Sequence, residues 1–476
     1  MDFDSYDLDP AIYDEMLLPD GTHRAHCAEI YETLRELSPE EIDLIQERVT
    51  RMFSTEGITF TVYGDDEADE RIIPVDCVPR VVSRADWEHL ERGLTQRLQA
   101  INLFLGDVYG QGRILEDGVI PVDVVRGCPQ YRLEMRGMSP PSGTWVAVCG
   151  TDIVRTNDGF FVLEDNLRVP SGVSYMIANR KAVKESLRRL YRSSRVRGVE
   201  QYGSLLRATL QELAPEGCSD PAIALLTPGV YNSAFYEHMF LARELGADLV
   251  EGRDLVVDGG VVYSRTTTGL RRIDVIYRRV DDDFLDPLVF RPDSLLGVPG
   301  LMEAYRLGNV TLANAPGTGV ADDKSVYAYV PDMIRYYLGE EPVLHNVETY
   351  LCRRPEDIEY TLDNLDSLVV KRVGESGGYG MLVGPHATPE ERNEYAKGVR
   401  EDPAGFIAQP TLALSRSPCL VDGRLEPRHV DLRPFVLQGR ETRIVPGAFC
   451  RVALRRGSLV VNSSQGGGGK DLWVLD

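Results

Sequence analysis

The segment from Cys149 to Gly172 constrains the fold more strongly than any other part of this 476-residue chain. Two apolar runs flank Asn157-Asp158-Gly159, and this turn sequence predicts a β-hairpin because such residues tolerate the backbone angles of a tight turn. If the loop comprises these three residues, Asp152 and Glu164 lie directly opposite each other on the two strands. Asn166 follows Glu164 by two residues, so strand alternation places it on the same face.

The hairpin therefore brings two carboxylates and one amide oxygen to one small area, from Asp152, Glu164 and Asn166. Oxygen ligands of this kind suit a hard cation such as Mg²⁺, which also keeps waters and phosphate oxygens as ligands. A polar outer face on an edge hairpin would use the same residues. The hairpin alone does not decide between these two interpretations.

Length and composition predict a cytoplasmic protein of several domains. A prior of about 150 residues per domain suggests roughly three domains. We expect neither a membrane span nor a signal peptide, because no apolar run approaches about 18 residues and the first residues are acidic. The net charge of −22 argues against a nucleic-acid partner but is compatible with a local basic pocket.

Residues 1–115 are predicted to form a mainly helical region. A capping box, Ser38-Pro-Glu-Glu41, indicates the start of a helix that we expect to continue to Met52. Apolar residues at helical spacing predict a second helix over Trp87–Gly110, and Gly57–Tyr63 is predicted to be a strand. No motif in this region indicates what it binds.

The next two regions differ in their pattern. Residues 116–215 contain the hairpin, and 183–213 predict one or two helices that leave the lobe of the hairpin. Residues 216–313 alternate strands with a helix, which is typical of a parallel, doubly wound sheet. The predicted elements are strands at Ala222–Leu226, Asp248–Val250 and Ile273–Tyr277 and a helix at Asn232–Leu245.

Residues 314–476 contain a second group of polar motifs. Lys324 precedes a helix predicted from Ser325 to Leu338. Farther on, a buried strand carries Lys371 into a glycine-rich loop, and another strand follows. Glycines let backbone N–H groups approach phosphate oxygens, and lysine adds a positive charge. Because a strand follows the glycines, the loop is not a P-loop; a phosphate-covering flap and a flexible hairpin loop both fit.

Three more predicted strands complete this region. Phe406–Pro410 leads to a hinge at which the backbone and Gln409 could hydrogen-bond an adenine. Each of the two later strands has an arginine within an apolar run, Arg433 and Arg451. A single such arginine is commonly a surface residue on an edge strand. Two arginines in aligned positions are less readily explained as surface residues.

Together these motifs resemble the ATP-grasp superfamily. The matching motifs, in the order of that superfamily, are Asp323-Lys324, Lys371 to Gly380, Asp431 to Arg433 and Asn462 to Gly469. In ordinary members an Asp…Glu-x-Asn hairpin comes next, whereas here that hairpin lies far upstream. The order of motifs therefore resembles the circularly permuted ATP-grasp family, which includes bacterial proteins related to glutathionylspermidine synthetase. Permutation is physically reasonable, because a lobe needs its strand neighbours but not their order in the chain.

The resemblance implies an α/β and α+β multidomain protein with a circularly permuted ATP-grasp fold. Its four regions would be 1–115, mainly helical; 116–215, the metal-binding part of the C-lobe; 216–313, a Rossmann-like pre-ATP-grasp domain; and 314–476, the nucleotide-binding lobe with the rest of the C-lobe. The implied activity is ATP-dependent ligation of a small-molecule or peptide carboxylate to an amine. It would proceed through an acyl phosphate and release ADP and phosphate, with ATP and Mg²⁺ as cofactors.

The resemblance also implies roles for individual residues. Arg433 and Arg451 would stabilise the phosphoryl and tetrahedral charges. The implied metal ligands are Asp152, Glu164 and Asn166. The residues implied to bind substrate are Arg168, Ser171 and Gly172. The residues implied to bind ATP are Lys324, Lys371, Glu375, Ser376, Gly377, Gly378, Gly380 and Gln409.

One position departs from the pattern of related ligases. They place an arginine two residues before the hairpin aspartate, and here that position is Gly150. Arg433, Arg451 or Arg155 could supply the missing charge. Gly150 slightly favours a second hypothesis, a non-catalytic ATP-binding scaffold or sensor, whereas the complete Asp, Glu and Asn set disfavours it. A third hypothesis is transfer of phosphate or AMP to a protein.

Overall fold

The computed structural model of the chain describes residues 1, 3–63, 68–374, 380–461 and 467–476. The strands are β1 (Thr59–Tyr63), β2 (Ala68–Ile72), β3 (Val75–Val82), β4 (Val148–Thr156), β5 (Gly159–Asn166), β6 (Ile223–Leu226), β7 (Asp248–Val250), β8 (Leu255–Asp258), β9 (Val261–Thr266), β10 (Gly269–Arg272), β11 (Val275–Arg278), β12 (Thr311–Ala313), β13 (His345–Asn346), β14 (Tyr350–Leu351), β15 (Leu368–Arg372), β16 (Leu382–Val383), β17 (Phe406–Pro410), β18 (Arg416–Val421), β19 (Arg424–Gln438), β20 (Thr442–Val452) and β21 (Gly468–Val474).

The helices lie between and around these strands. They are α1 (Ala28–Glu36), α2 (Pro39–Glu56), α3 (Arg84–Tyr109), α4 (Arg113–Glu116), α5 (Val122–Arg126), α6 (Val173–Ser186), α7 (Arg188–Ser193), α8 (Tyr202–Glu212), α9 (Phe235–Leu245), α10 (Asp282–Leu285), α11 (Leu301–Arg306), α12 (Gly319–Asp322), α13 (Lys324–Tyr327), α14 (Val330–Leu338), α15 (Pro355–Asp363) and α16 (Pro389–Glu401). Within the described ranges, no helix combines the length and the apolar character needed to cross a membrane.

An eight-stranded sheet brings together segments that are far apart in the sequence. Its order is β13-β5-β4-β19-β20-β21-β3, with β18 paired to β19. The upstream hairpin joins the sheet through β4, where Ile153 pairs with Leu432 of β19. The hairpin thus completes a sheet built from strands near the other end of the sequence, as expected for a permuted chain. Strand β3 from the first predicted region also joins it, by parallel pairing with β21.

The helix that follows the hairpin packs on this same sheet. Helix α6 begins at Val173, ten residues before the predicted start at Val183, and contacts β3, β20 and β21. Its buried positions include Tyr175, Met176 and Ala182, which lie in the core beneath the sheet. Burial of this apolar face keeps α6 on the sheet. The predicted span 183–213 contains only the end of α6, and α7 and α8 form the rest of its helices.

The predicted parallel sheet is present between residues 216 and 313. Its order is β12-β11-β6-β7, and all neighbouring strands are parallel. Helix α9 begins at Phe235 instead of Asn232 and ends, as predicted, at Gly246, whose φ of 59° is the left-handed helix cap that glycine favours. A three-stranded antiparallel sheet, β8-β9-β10, was not predicted, and its edge strand β10 is exposed along its whole length.

A smaller antiparallel sheet, β14-β17-β15-β16, forms a third layer with α15 and α16. Its core includes Val370, Leu382, Phe406 and Ala408. Because alternate residues of a strand point to opposite faces, Lys371 lies on the other face from Val370. This sheet therefore has a buried apolar face and a second face that carries the predicted strand lysine.

Local signals predicted the first helices well and one later helix poorly. The capping box of α2 is present, with Ser38 and Glu41 each accepting a hydrogen bond from the backbone N–H of the other. The helix predicted from Ser325 to Leu338 is instead divided into α13 and α14. Pro331 explains the break, because in a continuous helix its ring would clash with the carbonyl of Tyr327, where α13 ends.

Candidate active site

A cleft with a cavity volume of about 150 Å³ lies between the antiparallel four-stranded sheet and the eight-stranded sheet. Its lining combines aliphatic and charged side chains, as is typical of a site for a small molecule. The aliphatic lining includes Leu163, Val347, Val369, Val383, Leu412 and Leu459. The charged lining consists of Asp152, Glu164, Lys324, Lys371, Arg372, Asp431 and Arg451. Within the described residues, the cleft therefore collects seven charged side chains from both halves of the sequence.

The hairpin places Asp152 opposite Glu164, as predicted, although the loop differs from the prediction. Thr156 pairs with Gly159, so the turn contains two residues instead of three. The register then shifts between Asp152 and Ile153, which restores the opposition of Asp152 and Glu164. This irregularity is a β-bulge, a feature that commonly re-aims side chains beside active sites.

Two arginines bond the carboxylate of Asp152. Arg433 donates from Nε to Oδ1 at 2.5 Å and from Nη2 to Oδ2 at 2.8 Å, and Arg451 donates from Nη2 to Oδ2 at 2.7 Å. Burial on its own would raise the pKa of Asp152, which is 2% exposed, but the two guanidinium groups outweigh it and hold that pKa well below its usual range. Asp152 is therefore an ionised, fully hydrogen-bonded group.

Asp431 provides a second carboxylate in this cluster. Arg451 donates from Nε to both oxygens of Asp431, at 3.0 and 3.1 Å, and Asp431 is completely buried. Two arginines and two carboxylates thus form one cluster without net charge. Such an arrangement compensates the buried charges, which would be costly if any of them were unpaired.

Gly150 lies directly beneath Arg433. A Cβ atom at position 150 would lie 3.2 Å from Cδ and 3.4 Å from Cγ of Arg433, so the arginine stem occupies the space above this glycine. Arg155 lies elsewhere: its guanidinium pairs with Asp86 at 3.0 Å and lies over the ring of Tyr13. Arg433 and Arg451 remain as candidates for the charge expected at position 150, and the hypothesis for Arg155 is wrong.

The other two predicted metal ligands retain oxygens for a ligand. Among the described residues, the side-chain carboxylate of Glu164 makes no hydrogen bond or ion pair, and it lines the cleft. Asn166 donates its amide N–H to the carbonyl of Gly150 at 3.1 Å, which leaves its amide oxygen as an acceptor. Two carboxylates and an amide oxygen are hard donors that fit Mg²⁺, provided that Asp152 exchanges one arginine for the metal.

Lys371 lies beside a buried glutamine. Its ammonium donates to Oε1 of Gln409 at 2.7 Å, and Gln409 donates from Nε2 to Oγ1 of Thr349 at 3.0 Å. Burial lowers the pKa of Lys371 to about 8, against the opposing effect of the Glu164 carboxylate. The side chain of Gln409 therefore contacts the lysine, and its predicted contact with adenine stays a prediction.

Of the remaining residues predicted to bind ATP, Lys324 and Gly380 belong to the described part of the chain and the others do not. Lys324 begins α13 and lines the cleft, where its charge contributes to the lowered pKa of Lys371. Gly380 has a φ of 62°, and its carbonyl accepts a hydrogen bond from the hydroxyl of Tyr395. Glu375, Ser376, Gly377 and Gly378 lie outside the described residues, so their predicted role stays a prediction.

Arg168 lines a second, smaller cavity that shares Glu164 and Lys324 with the cleft. It donates from Nε to Asp322 at 2.7 Å and approaches Asp281 at 3.4 Å. Burial raises the pKa of Asp322 to about 6, although Arg168 opposes this change. Sequence patterns did not indicate Asp322 or Asp281, which lie far from Arg168 in the chain.

Ser171 and Gly172 already have protein partners. The carbonyl of Ser171 accepts a hydrogen bond from Nη1 of Arg433 at 3.2 Å. The N–H of Gly172 donates to the buried carboxylate of Glu237 at 2.8 Å, and a Cβ at Gly172 would lie 2.8 Å from the ring of Phe449. Gly172 therefore permits close packing at the start of α6. Its predicted contact with substrate would require that N–H to leave Glu237.

Comparison with known proteins agrees with this architecture. A family model described as circularly permuted ATP-grasp type 2 matches residues 79–453. The solved structure of a glutathione synthetase-like effector from Globodera pallida, in its apo form, aligns with a TM-score of 0.58 and 12% identity, covering 92% of this chain and 98% of that chain. At this identity the similarity shows the fold alone. The predicted fold class is confirmed.

Two curated relatives align over nearly the whole chain. An uncharacterized protein of Synechocystis is 53% identical over 477 residues, which cover 100% of this chain and 99% of that protein. A protein of Frankia alni, provisionally named glutamate–cysteine ligase 2-3, is 44% identical over 471 residues. Those residues are 98% of this chain but 54% of the Frankia protein, so this chain spans about half of that relative.

Proposed function

The chain belongs to the circularly permuted ATP-grasp family, and we propose that it is an ATP-dependent ligase that joins a carboxylate to an amine. The reaction would pass through an acyl phosphate and release ADP and phosphate. One observation carries this proposal: the cleft brings Glu164, opposite Asp152 on the hairpin, together with Lys324 and Lys371 from the other half of the sequence. A carboxylate pair beside two lysines suits a nucleoside triphosphate with a divalent cation.

Phosphoryl transfer depends mainly on positioning and on neutralising charge, so the protein needs no covalent chemistry of its own. Lys324 and Lys371 would hold the phosphates at the charged part of the cleft, and the aliphatic lining would receive the base. Arg433 and Arg451 would stabilise the charge that develops on the transferred phosphate and on the tetrahedral adduct.

Asp152, Glu164 and Asn166 would hold Mg²⁺. When bound, the ion would neutralise phosphate oxygens and orient them for transfer. The carboxylate of Glu164, which has no hydrogen-bond or ion-pair partner in the described part of the chain, is the residue most directly suited to this role. The two neighbouring arginines keep Asp152 ionised despite its burial, and it would bind the ion in exchange for one of these hydrogen bonds.

The acceptor site would adjoin the smaller cavity. Arg279, which follows β11, donates to the carbonyl of Pro170 at 2.7 Å, so the carboxyl end of the parallel sheet lies against the segment after β5. Ligands of open parallel sheets commonly bind in the crevice at this end. Arg168 lines the smaller cavity and would meet an acidic group of the substrate in exchange for its contact with Asp281.

The structure weakens the main reason for a scaffold function. Gly150 favoured a scaffold because it leaves an expected arginine missing, but the stem of Arg433 fills the space above Gly150 and its guanidinium bonds Asp152. Arg433, from another strand, would therefore supply the charge expected at this position. No feature of the described residues specifically favours transfer of phosphate or AMP to a protein.

A substrate screen separates these functions. The protein is incubated with ATP, Mg²⁺ and pools of amino acids, short peptides and amines, including glutamate and cysteine because of the name of the Frankia alni relative. Release of ADP together with a condensed product is the expected result. Nucleotide binding without release would indicate a scaffold, and labelled protein would indicate transfer to a macromolecule.

ATP binding is expected to weaken as the pH rises through about 8, where Lys371 loses its proton. The ammonium is present below this pH and attracts the phosphates, whereas the neutral amine above it does not. Calorimetric titration with a non-hydrolysable ATP analogue between about pH 6.5 and about pH 9.5 measures the effect. Lys371→Arg is the matched control, since its side chain stays charged throughout and should flatten the pH dependence. Equal pH dependence in both proteins would contradict the role of Lys371.

A further inference from the structure

We propose that Arg433 blocks the metal position of Asp152 in the nucleotide-free protein and leaves it when a divalent cation binds together with nucleotide. This inference rests on the proposed function, because it concerns the same cleft. Arg433 would have two positions, and binding of the divalent cation would be coupled to binding of the nucleotide. Arg433 would act as an internal substitute for the metal until the phosphates arrive.

The two carboxylate oxygens of Asp152 differ in their hydrogen-bond donors. Among the described residues, Oδ1 accepts a hydrogen bond from Arg433 alone, whereas Oδ2 accepts from both Arg433 and Arg451. A cation that binds Oδ1 therefore competes with one guanidinium only. A divalent ion and a guanidinium at the same buried oxygen repel each other strongly, so the two arrangements exclude each other.

Arg433 is also less firmly held than Arg451. Arg451 has Asp431 as a second carboxylate partner, and that carboxylate is completely buried. Beyond Asp152, the hydrogen-bond partner of Arg433 is the carbonyl of Ser171 at 3.2 Å. The side chain of Arg433 is 12% exposed, against 6% for Arg451. Arg433 is therefore the arginine that can leave with the smaller loss of contacts.

Gly150 makes the blocking position possible. The stem of Arg433 lies on this glycine, and a Cβ at position 150 would approach Cδ of Arg433 to 3.2 Å. An alanine at this position would require the stem of Arg433, or the ring of Pro170 at the same 3.2 Å, to shift by a few tenths of an ångström. Gly150 and Arg433 thus form a matched pair, in which the absence of a side chain on β4 lets an arginine from β19 reach Asp152.

Release of Arg433 couples the two ligands. A displaced guanidinium in a partly buried site needs a new anionic partner, and the phosphates of a nucleotide provide one. Metal and nucleotide would therefore favour each other's binding, and by linkage the coupling is the same in both directions. The released arginine would then lie near the transferred phosphate, where the charge of the reaction develops.

Binding of Mn²⁺ in the absence of nucleotide tests this proposal, and electron paramagnetic resonance can follow it. Arg433→Lys keeps the positive charge but removes the two-pronged hydrogen bond to Asp152. This variant is expected to bind Mn²⁺ at least about tenfold more tightly than the unaltered protein, the change that corresponds to one lost charge-assisted hydrogen bond. Gly150→Ala should shift affinity in the same direction by pushing Arg433 aside.

Two further variants identify the site. Arg291→Lys removes an equivalent two-pronged hydrogen bond, to Asp293, at a position outside the cleft and leaves both arginines that bond Asp152, so its Mn²⁺ affinity should stay close to that of the unaltered protein. Adding Asp152→Asn to Arg433→Lys should abolish the gain. Equal Mn²⁺ affinity in the unaltered protein, Arg433→Lys and Gly150→Ala would overturn the proposal. Tighter Mn²⁺ binding in these variants, with no ATP turnover in any protein, would support the displacement of Arg433 by the cation and contradict the proposed ligase activity.

Discussion

Replacing Glu164 by glutamine is expected to lower Mg²⁺-dependent turnover of ATP by about 10²–10³-fold, the range found when one electrostatic contact to a transition state is removed. The fold should stay intact, because the side chain of Glu164 makes no hydrogen bond or ion pair within the described residues. The measurement is substrate-dependent release of ADP over a series of Mg²⁺ concentrations. Thermal unfolding of the same protein checks that stability is unchanged.

Asp158→Asn is the matched control for this experiment. Asp158 lies exposed in the turn of the same hairpin, so the substitution removes the same charge without touching the cleft. Its turnover should equal that of the unaltered protein. Undiminished turnover in Glu164→Gln would refute the assignment of Glu164 to the metal.

Replacing Asn314 by alanine is expected to lower the free energy of unfolding by about 3–5 kcal/mol, since each buried group left without a partner costs about 1–3 kcal/mol. Asn314 is 1% exposed and follows β12 of the parallel sheet. Its Oδ1 accepts hydrogen bonds from the N–H groups of Ala147 and Val148, both at 2.8 Å. Its Nδ2 donates to the carbonyls of Val148 and Leu167, both at 2.7 Å.

This one side chain therefore joins the parallel sheet to both strands of the hairpin. Denaturant unfolding of the variant measures the loss. Asn309→Ala is the control, because Asn309 is partly exposed and its Nδ2 makes one hydrogen bond, to the carbonyl of Gly260 at 2.8 Å. That substitution should cost about 1 kcal/mol. Equal losses of unfolding free energy in the two variants would contradict the conclusion that Asn314 joins the parallel sheet to the hairpin.

Short-range signals allowed the local geometry of the site to be predicted. Turn chemistry and strand alternation were enough to place Glu164 opposite Asp152, because both depend only on nearby residues. The predicted loop was nevertheless one residue too long, and the bulge beside Ile153 compensated for this error. A bulge depends on how the hairpin meets its neighbours in the sheet, so the hairpin sequence alone does not reveal it.

The charge network of the cleft could not be predicted in the same way. Arg433 and Arg451 are 281 and 299 residues from Asp152, and their contact follows from the strand order of the eight-stranded sheet. The sequence indicated that these arginines share a site, but not that they already bond a predicted metal ligand. Asp431 was part of a recognised motif, yet its role in holding Arg451 became visible only with the fold.

Strand alternation predicted which face of a sheet each side chain occupies, but not which residue that side chain contacts. Gln409 and Lys371 lie on the neighbouring antiparallel strands β17 and β15, where their side chains bond each other. The predicted contact of Gln409 with adenine stays a prediction, whereas its hydrogen bond with Lys371 depends on strand pairing that the local sequence does not show. Pro331, in contrast, was a local signal that could have revealed the break between α13 and α14.

The transfer of ¹⁸O from a carboxylate substrate to the released phosphate tests the proposed reaction most directly. An acyl phosphate can form only if a carboxylate oxygen attacks the transferred phosphate. The amine then attacks the acyl carbon, and the phosphate leaves with that oxygen. Pools of ¹⁸O-labelled amino acids and peptides are incubated with the protein, ATP and Mg²⁺, and the phosphate is analysed by mass spectrometry. One ¹⁸O atom in each phosphate released with ADP is the expected result. Substrate-dependent release of ADP with unlabelled phosphate, or release of AMP and pyrophosphate, would contradict it.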